Sequence, residues 1–146
     1  MSRRTSIVKA IAEKFKEIDG TNYTSNLYGQ SSARLVFWDE CMNFPSVYVV
    51  TGSESREYHP VGFSWGFLNA SIKVYCKGET AQEELETLLE DVEAVLDTSL
   101  GNIVYDTVNG YETSEVSVTS ITTDEGLLAP YAVGEINILI RYQIMK

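Results

Sequence analysis

The last strand of the chain decides the fold, and it reads Glu135-Ile136-Asn137-Ile138-Leu139-Ile140-Arg141-Tyr142-Gln143-Ile144. Its even-numbered positions are all Ile or Tyr, whereas its odd-numbered positions are mostly polar. This period of two predicts a strand with one buried face. The preceding run, residues 122–131 (TTDEGLLAPY), holds two acids, a Gly and a Leu-Leu pair. Such a loop favours a contact surface over a catalytic pocket.

Other parts of the chain also have strand composition. Residues 46–51 (SVYVVT) are β-branched and aromatic and follow Pro45, so they predict a central strand that begins there. Residues 115–122 alternate apolar and polar positions, and residues 34–38 (RLVFW) have strand composition. Residues 52–62 are charged and polar, and they predict a segment that projects from the sheet.

Residues 63–77 carry two apolar sets of opposite parity. Phe63, Trp65 and Phe67 share one parity, and the second set follows at even positions from Leu68 to Cys76. One regular strand cannot bury both sets on one face. Either a bulge near residues 66–69 resets the register, or the aromatic set is covered on the opposite face by something else, such as a neighbouring subunit.

Two amphipathic helices are predicted. In the first, apolar residues recur at helical spacing from Ile7 to Ile18, and the helix closes at Asp19-Gly20. The second begins at Thr80-Ala81-Gln82-Glu83, which has the pattern of a capping box. Its apolar stripe runs from Leu85 to Leu96.

This order of elements predicts an α+β fold in a single domain, residues 1–146. We expect a mostly antiparallel sheet of about four or five strands, two helices packed on one face, and a projecting β-hairpin arm. A chain of 146 residues buries enough surface for a core without further staples. Cys41 and Cys76 lie in or beside apolar stretches, which favours buried thiols over a disulfide.

The formal net charge of −10 weakens any proposal of nucleic-acid binding, because an acidic surface repels phosphate. His59 is the only histidine, so a Ser-His-Asp or Cys-His site would need it. Asp124 and Glu125 are adjacent and normally point apart. No phosphate-binding Gly-rich loop follows a strand. We therefore predict no enzyme activity, no cofactor and no metal.

Several segments together resemble the tail terminator proteins of bacteriophages with long, non-contractile tails. The similar segments are Arg4-Thr5-Ser6-Ile7, Asn26-Leu27-Tyr28-Gly29, residues 44–49 (FPSVYV), Thr123-Asp124-Glu125-Gly126-Leu127-Leu128-Ala129-Pro130-Tyr131, Glu135-Ile136-Asn137 and Arg141-Tyr142-Gln143. The resemblance extends from about residue 4 to residue 143.

The resemblance implies a virion protein that forms a hexameric ring on the head-proximal end of the tail tube. Such a ring stops tail polymerisation and provides the interface for head-tail joining. Its partners would be its own copies, the tail tube protein and the head connector or completion protein. DNA would pass through without specific binding, and no membrane would be involved. The resemblance also implies host cytoplasm during assembly and a monomer beforehand.

Two sets of residues are candidates for these contacts. The first is an oligomer, tail or connector interface formed by Arg56, Glu57, Tyr58, His59, Asp124, Glu125, Leu127, Leu128 and Tyr131. The second is an acidic lumen formed by Glu83, Glu84, Glu86, Glu90, Asp91 and Glu93. The alternative function is that of an acidic binding protein, a DNA-mimic inhibitor of a nucleic-acid-binding protein.

Overall fold

The computed structural model describes residues 2–98 and 101–145. Two helices and six strands follow one another in the order α1 (Arg3–Lys14), β1 (Ser31–Ser32), β2 (Ser46–His59), β3 (Phe63–Lys77), α2 (Ala81–Thr98), β4 (Val104–Asp106), β5 (Tyr111–Thr123) and β6 (Tyr131–Met145). The strands form one sheet in the order β1-β2-β3-β6-β5-β4. Strand β1 is parallel to β2, and the other neighbouring strands are antiparallel. The fold is α+β, as predicted, but its sheet is mixed and has more strands than expected.

Both helices pack on one face of the sheet, here called the inner face. The register pairs Val49 with Ile72 and Ile72 with Ile136, so the apolar parities of β2, β3 and β6 coincide on this face. The buried side chains of α1 and α2 join these residues in one hydrophobic cluster. The alternating apolar residues of β6 therefore form one side of the core, and the apolar stripes of α1 and α2 form the other side.

Strand β3 resolves the conflict between its two apolar sets. Its register with β6 is unbroken from Phe63 to Lys77, so β3 has no bulge. Phe63, Trp65 and Phe67 consequently lie on the face away from the helices, here called the outer face. The irregularity falls in β2, where the residues between Thr51 and Glu54 lie opposite a single β3 residue. Of the two possibilities left open by the sequence, the bulge in β3 is wrong, and the aromatic set lies on the opposite face. The cover over that set stays a prediction.

The outer face is covered at one end by residues 33–45. Cys41 from this segment forms a second small cluster with Tyr48 and Tyr75 of the sheet. Val36 and Trp38 pack on the same cluster. The predicted strand at residues 34–38 is wrong, because these residues form no ladder with the sheet. Instead, Val36 and Trp38 pack down onto the sheet, and the Val36 carbonyl accepts from the Tyr75 hydroxyl at 2.6 Å. The prediction of buried free thiols at Cys41 and Cys76 is confirmed.

Residues 52–59 do not form a separate arm. They continue β2, and residues 54–59 pair with residues 63–68 at the start of β3. Residues 63–66 of β3 pair in turn with residues 142–145 at the end of β6. The hairpin is therefore a three-stranded end of the sheet. Polar composition suggested a projecting segment here because most side chains on this edge of the sheet are exposed to solvent.

The ends of the helices also differ in detail from the prediction. Helix α1 ends at Lys14 and continues as a single 3-10 turn, Phe15–Glu17. At the start of α2, the Thr80 hydroxyl donates to the Glu84 carboxylate at 3.1 Å. This bond joins two side chains, so Thr80 does not form the predicted capping box with Glu83. Among residues 2–98 and 101–145, no helix is long and apolar enough to span a membrane.

Candidate assembly surfaces

The hairpin residues predicted to act together point to opposite faces. Arg56 and Tyr58 have the inner-face parity, whereas Glu57 and His59 have the outer-face parity. Arg56 Nε lies 2.8 Å from the carboxylate of Glu54, whose side chain is only 6% exposed. Hydrogen bonding to Glu54 is the main cause that raises the pKa of Arg56. Arg56 therefore has a structural partner within its own chain.

The buried carboxylate of Glu54 has a second partner that the sequence pattern did not indicate. The Tyr142 hydroxyl donates to Glu54 Oε1 at 2.6 Å. Burial, followed by this hydrogen bond, raises the pKa of Tyr142 well above its ordinary value. The Tyr142 ring crosses β3 at Gly66, where an added Cβ would lie 2.7 Å from the ring. The apolar alternation of β6 assigned Tyr142 to the core but could not reveal its contact with a β2 acid.

On the outer face of the hairpin, three rings and one guanidinium group contact one another in a continuous row. This aromatic row consists of His59, Phe63, Trp65 and Arg141. The His59 ring stacks on Phe63 with centroids 4.8 Å apart, and Phe63 meets Trp65 edge-on at 6.0 Å. The Arg141 guanidinium carbon lies 4.8 Å from the centre of the Trp65 ring. Parity placed Phe63 and Trp65 together in the sequence, but only strand order brings Arg141 to them.

His59 and Glu57 are neighbours on this face. His59 Nε2 lies 3.0 Å from Glu57 Oε1, which is close enough for an ion pair when the ring is protonated, but it is not aligned for a hydrogen bond. Within residues 2–98 and 101–145, no group of three His, Cys, Asp or Glu side chains is arranged to hold a metal ion. His59 packs within the aromatic row, where its ring stacks on Phe63.

The predicted contact loop is closed by Asp124. Its carboxylate accepts from the backbone amides of Leu128 at 3.0 Å and Val133 at 3.1 Å, and from the Gln82 side chain at 3.3 Å. Burial opposes ionisation of Asp124, but these hydrogen bonds outweigh it and hold its pKa below the ordinary value. Asp124 is therefore a positioning residue for the β5–β6 turn. Glu125 and Leu127 are exposed at its tip, and Leu128 is half-buried.

Tyr131 lies at the other end of this loop and anchors residues 33–45. Its ring meets Trp38 at 5.0 Å and Phe44 at 5.8 Å between centroids. Lys77 Nζ lies 5.0 Å from the centre of the same ring. Tyr131 is half-buried, so its main contacts are within the chain.

The segment anchored by Tyr131 has a second, outward side that the sequence analysis missed. Val36, Trp38 and Cys41 pack on the sheet, whereas Leu35, Phe37 and Met42 are 51%, 54% and 89% exposed. Their apolar composition was visible in the sequence, but it was interpreted as strand composition. Here residues 35–42 are called the exposed apolar segment.

Helix α2 presents a row of acids to solvent. Glu83, Glu86 and Glu90 are exposed, Glu93 is half-buried, and their spacing places them opposite the buried Leu stripe. Glu84 is exposed beside this row. Asp91 is set apart, because its carboxylate accepts from the Ser25 amide at 2.9 Å. The helix itself contains no Lys or Arg. The structure therefore brings together most, but not all, of the predicted acidic set.

The fold has a counterpart among virion structures. A chain in the virion of a native gene transfer agent particle matches with a TM-score of 0.61 and 11% identity, over 98% of this chain and 100% of that chain. At that level of identity the match shows a shared fold.

Sequence comparison then gives the family. The chain is 42% identical to tail tube terminator protein p142 of Escherichia phage T5 over 154 residues, which cover 98% of this chain and 95% of the relative. Residues 1–146 match the family described as Bacteriophage Tail Tube Terminator Protein. The chain therefore belongs to this family of phage tail proteins, and the predicted resemblance is confirmed.

Proposed function

We propose that this protein caps the head-proximal end of a phage tail tube as a hexameric ring. In that position it stops tail polymerisation and provides the interface for head-tail joining. The observation that carries the proposal is the 42% identity to a tail tube terminator along nearly the whole of both chains. It follows that the partners are other copies of the chain, the tail tube protein and a head connector or completion protein. The protein would be made in the host cytoplasm, as a monomer before assembly, and end in the virion tail.

The test is negative-stain microscopy of particles assembled with and without the gene, scoring tail length and head attachment. We expect tails of uncontrolled length or tails without heads when the protein is missing, and rescue when it is supplied. Normal, joined tails in its absence would contradict the proposal. Normal virions with altered nuclease sensitivity would instead favour the acidic DNA-mimic function.

Part of the interface is proposed to lie at the β5–β6 turn and the outer face of the hairpin. The exposed members of the original set are Arg56, Glu57 and Tyr58 on the hairpin and Glu125 and Leu127 on the turn. Of these three hairpin residues, Glu57 is the one with the outer-face parity. Deletion of residues 55–59 would break the ladder between β2 and β3, so point substitutions are the better test. Leu127→Glu places a charge on an 84% exposed side chain and should impair capping without unfolding the subunit. Glu79→Lys, at another exposed position, is the control for an unrelated surface change.

The acidic row of α2 is proposed to line the lumen of the ring. Six chains of net charge −10 would carry roughly −60, and an acidic wall would keep DNA from adhering as it passes. Lysine at Glu83, Glu86 and Glu90 should slow DNA ejection while leaving tail joining intact. Lysine at the exposed acids Glu13, Glu17 and Glu112 gives the same change in net charge outside α2 and outside the proposed interface. Equal ejection rates for the two triple variants would refute the lumen assignment.

A further inference from the structure

The chain covers one end of the outer face and leaves the other end partly exposed to solvent. At one end, residues 33–45 cover Tyr48 and Tyr75. At the other end, Phe63 and Trp65 pack with each other and with the neighbouring His59 and Arg141, and they remain partly exposed. An apolar, aromatic surface of this kind is typical of the centre of a protein interface.

Arg141 adds a positive charge to the open end of the outer face, and its contacts within the chain are weak. Its ion pair with Glu115 is long, at 4.0 Å, and its Nε is buried without a hydrogen-bond partner among the described residues. Its side chain is 41% exposed. A guanidinium that packs on an indole ring can still donate hydrogen bonds to a carboxylate from its exposed N–H groups. The aromatic row therefore suits an apolar partner that carries an acid.

The exposed apolar segment has this chemistry. Leu35, Phe37 and Met42 face outward, while the alternate residues anchor the segment to the sheet. Between them lie Asp39 and Glu40, which are exposed and form no ion pair within residues 2–98 and 101–145. The segment and the aromatic row are thus complementary in charge, and each has apolar surface that its own chain leaves open.

We propose that the exposed apolar segment of one copy packs on the aromatic row of a second copy, with Asp39 or Glu40 meeting Arg141. The contact joins two different surfaces of the same chain, so each copy can offer its segment to one neighbour and its aromatic row to another. Repeated in that way, the contact gives a closed ring when the rotation allows. This inference rests on the proposed ring, and it names the surfaces that would form it. The same arrangement explains why the aromatic set of β3 faces away from the core.

The experiment traps the contact with engineered thiols in copies assembled on tail tubes, because the free protein is proposed to be a monomer. An added oxidant such as diamide converts two neighbouring thiols to the disulfide. Leu35→Cys, on the segment, is mixed with Gln143→Cys, which lies opposite Trp65 on the outer face. Both native thiols are buried and serve as a silent background. We expect a mixed disulfide to form at least about tenfold faster than between Leu35→Cys and Val108→Cys, because docking raises the local thiol concentration. Val108 is 92% exposed but lies in the β4–β5 turn. Equal rates for the two pairs would overturn the proposal.

Charge reversal provides the second measurement. Arg141→Glu in the Gln143→Cys chain should lower the cross-linking rate about tenfold, the scale of one close charge pair. Lysine at Asp39 and Glu40 in the Leu35→Cys chain should restore it. Loss without restoration would show that Arg141 acts only within its own chain and would overturn the assigned pairing. Tail-length microscopy tests the terminator function separately. If the protein rescues tail length but no specific cross-link forms, the proposed contact surfaces are wrong and the terminator function still holds.

Discussion

Thr113 offers a sharp test of how the β4–β5 region is held. Its side chain is fully buried, and its hydroxyl donates to the Gly101 carbonyl at 2.6 Å while it accepts from the Ile103 amide at 2.9 Å. Thr113→Val keeps the shape and the strand preference but removes both bonds. Two backbone groups are then left unsatisfied at about 1–2 kcal/mol each, so we expect a loss of about 2–4 kcal/mol in the free energy of unfolding.

The assay is urea denaturation followed by Trp38 and Trp65 fluorescence and by far-ultraviolet circular dichroism. With a urea dependence of about 2 kcal/mol per molar, the midpoint should fall by about 1–2 M. Thr119→Val is the matched control on the same strand, because its hydroxyl makes one bond, to the Asn137 carbonyl, at an exposed position. Its midpoint should change little, since water can replace that bond.

Thr113→Ser retains the hydroxyl and should recover most of the stability. If Thr113→Val and Thr119→Val shift the midpoint equally, the two buried hydrogen bonds do not hold this region. The same conclusion follows if Thr113→Ser is as unstable as Thr113→Val.

Two further predictions concern the core. Gly66→Ala would place a Cβ 2.7 Å from the buried Tyr142 ring and should lower the melting temperature by about 5 °C or more, as overpacking does. Gly134→Ala meets flexible Leu85 and Leu89 methyls at 3.1 Å and should cost less; equal losses in thermal melts would contradict the packing argument. Burial raises the pKa of Cys76 from 9.0 to about 12, so its contribution to stability is complete below pH 9 and is lost as the pH rises toward 12. In reducing urea titrations, Cys76→Ala should therefore show a shallower alkaline decline, by up to about 1.4 kcal/mol per pH unit; identical slopes would exclude this titration.

The sequence by itself determined the elements whose pattern is local. The alternation of β6 and the stripe of α2 follow from which residues must avoid water, and both elements formed where expected. The parity of β3 also showed that Phe63 and Trp65 could not share the core with Leu68. The family could also be recognised from the sequence. Such a resemblance depends on the order of residues along the chain and requires no knowledge of the contacts between them.

The tertiary structure decided everything that depends on neighbours distant in the chain. Residues 52–59 became a strand because β3 and β6 supply partners for their backbone, although their polar composition favoured a projection. Asp124 became a turn-closing residue, and Trp65 acquired Arg141, only through the pairing of β6 with its neighbours. Periodicity reports which face a side chain takes, whereas strand order and register decide what it meets there.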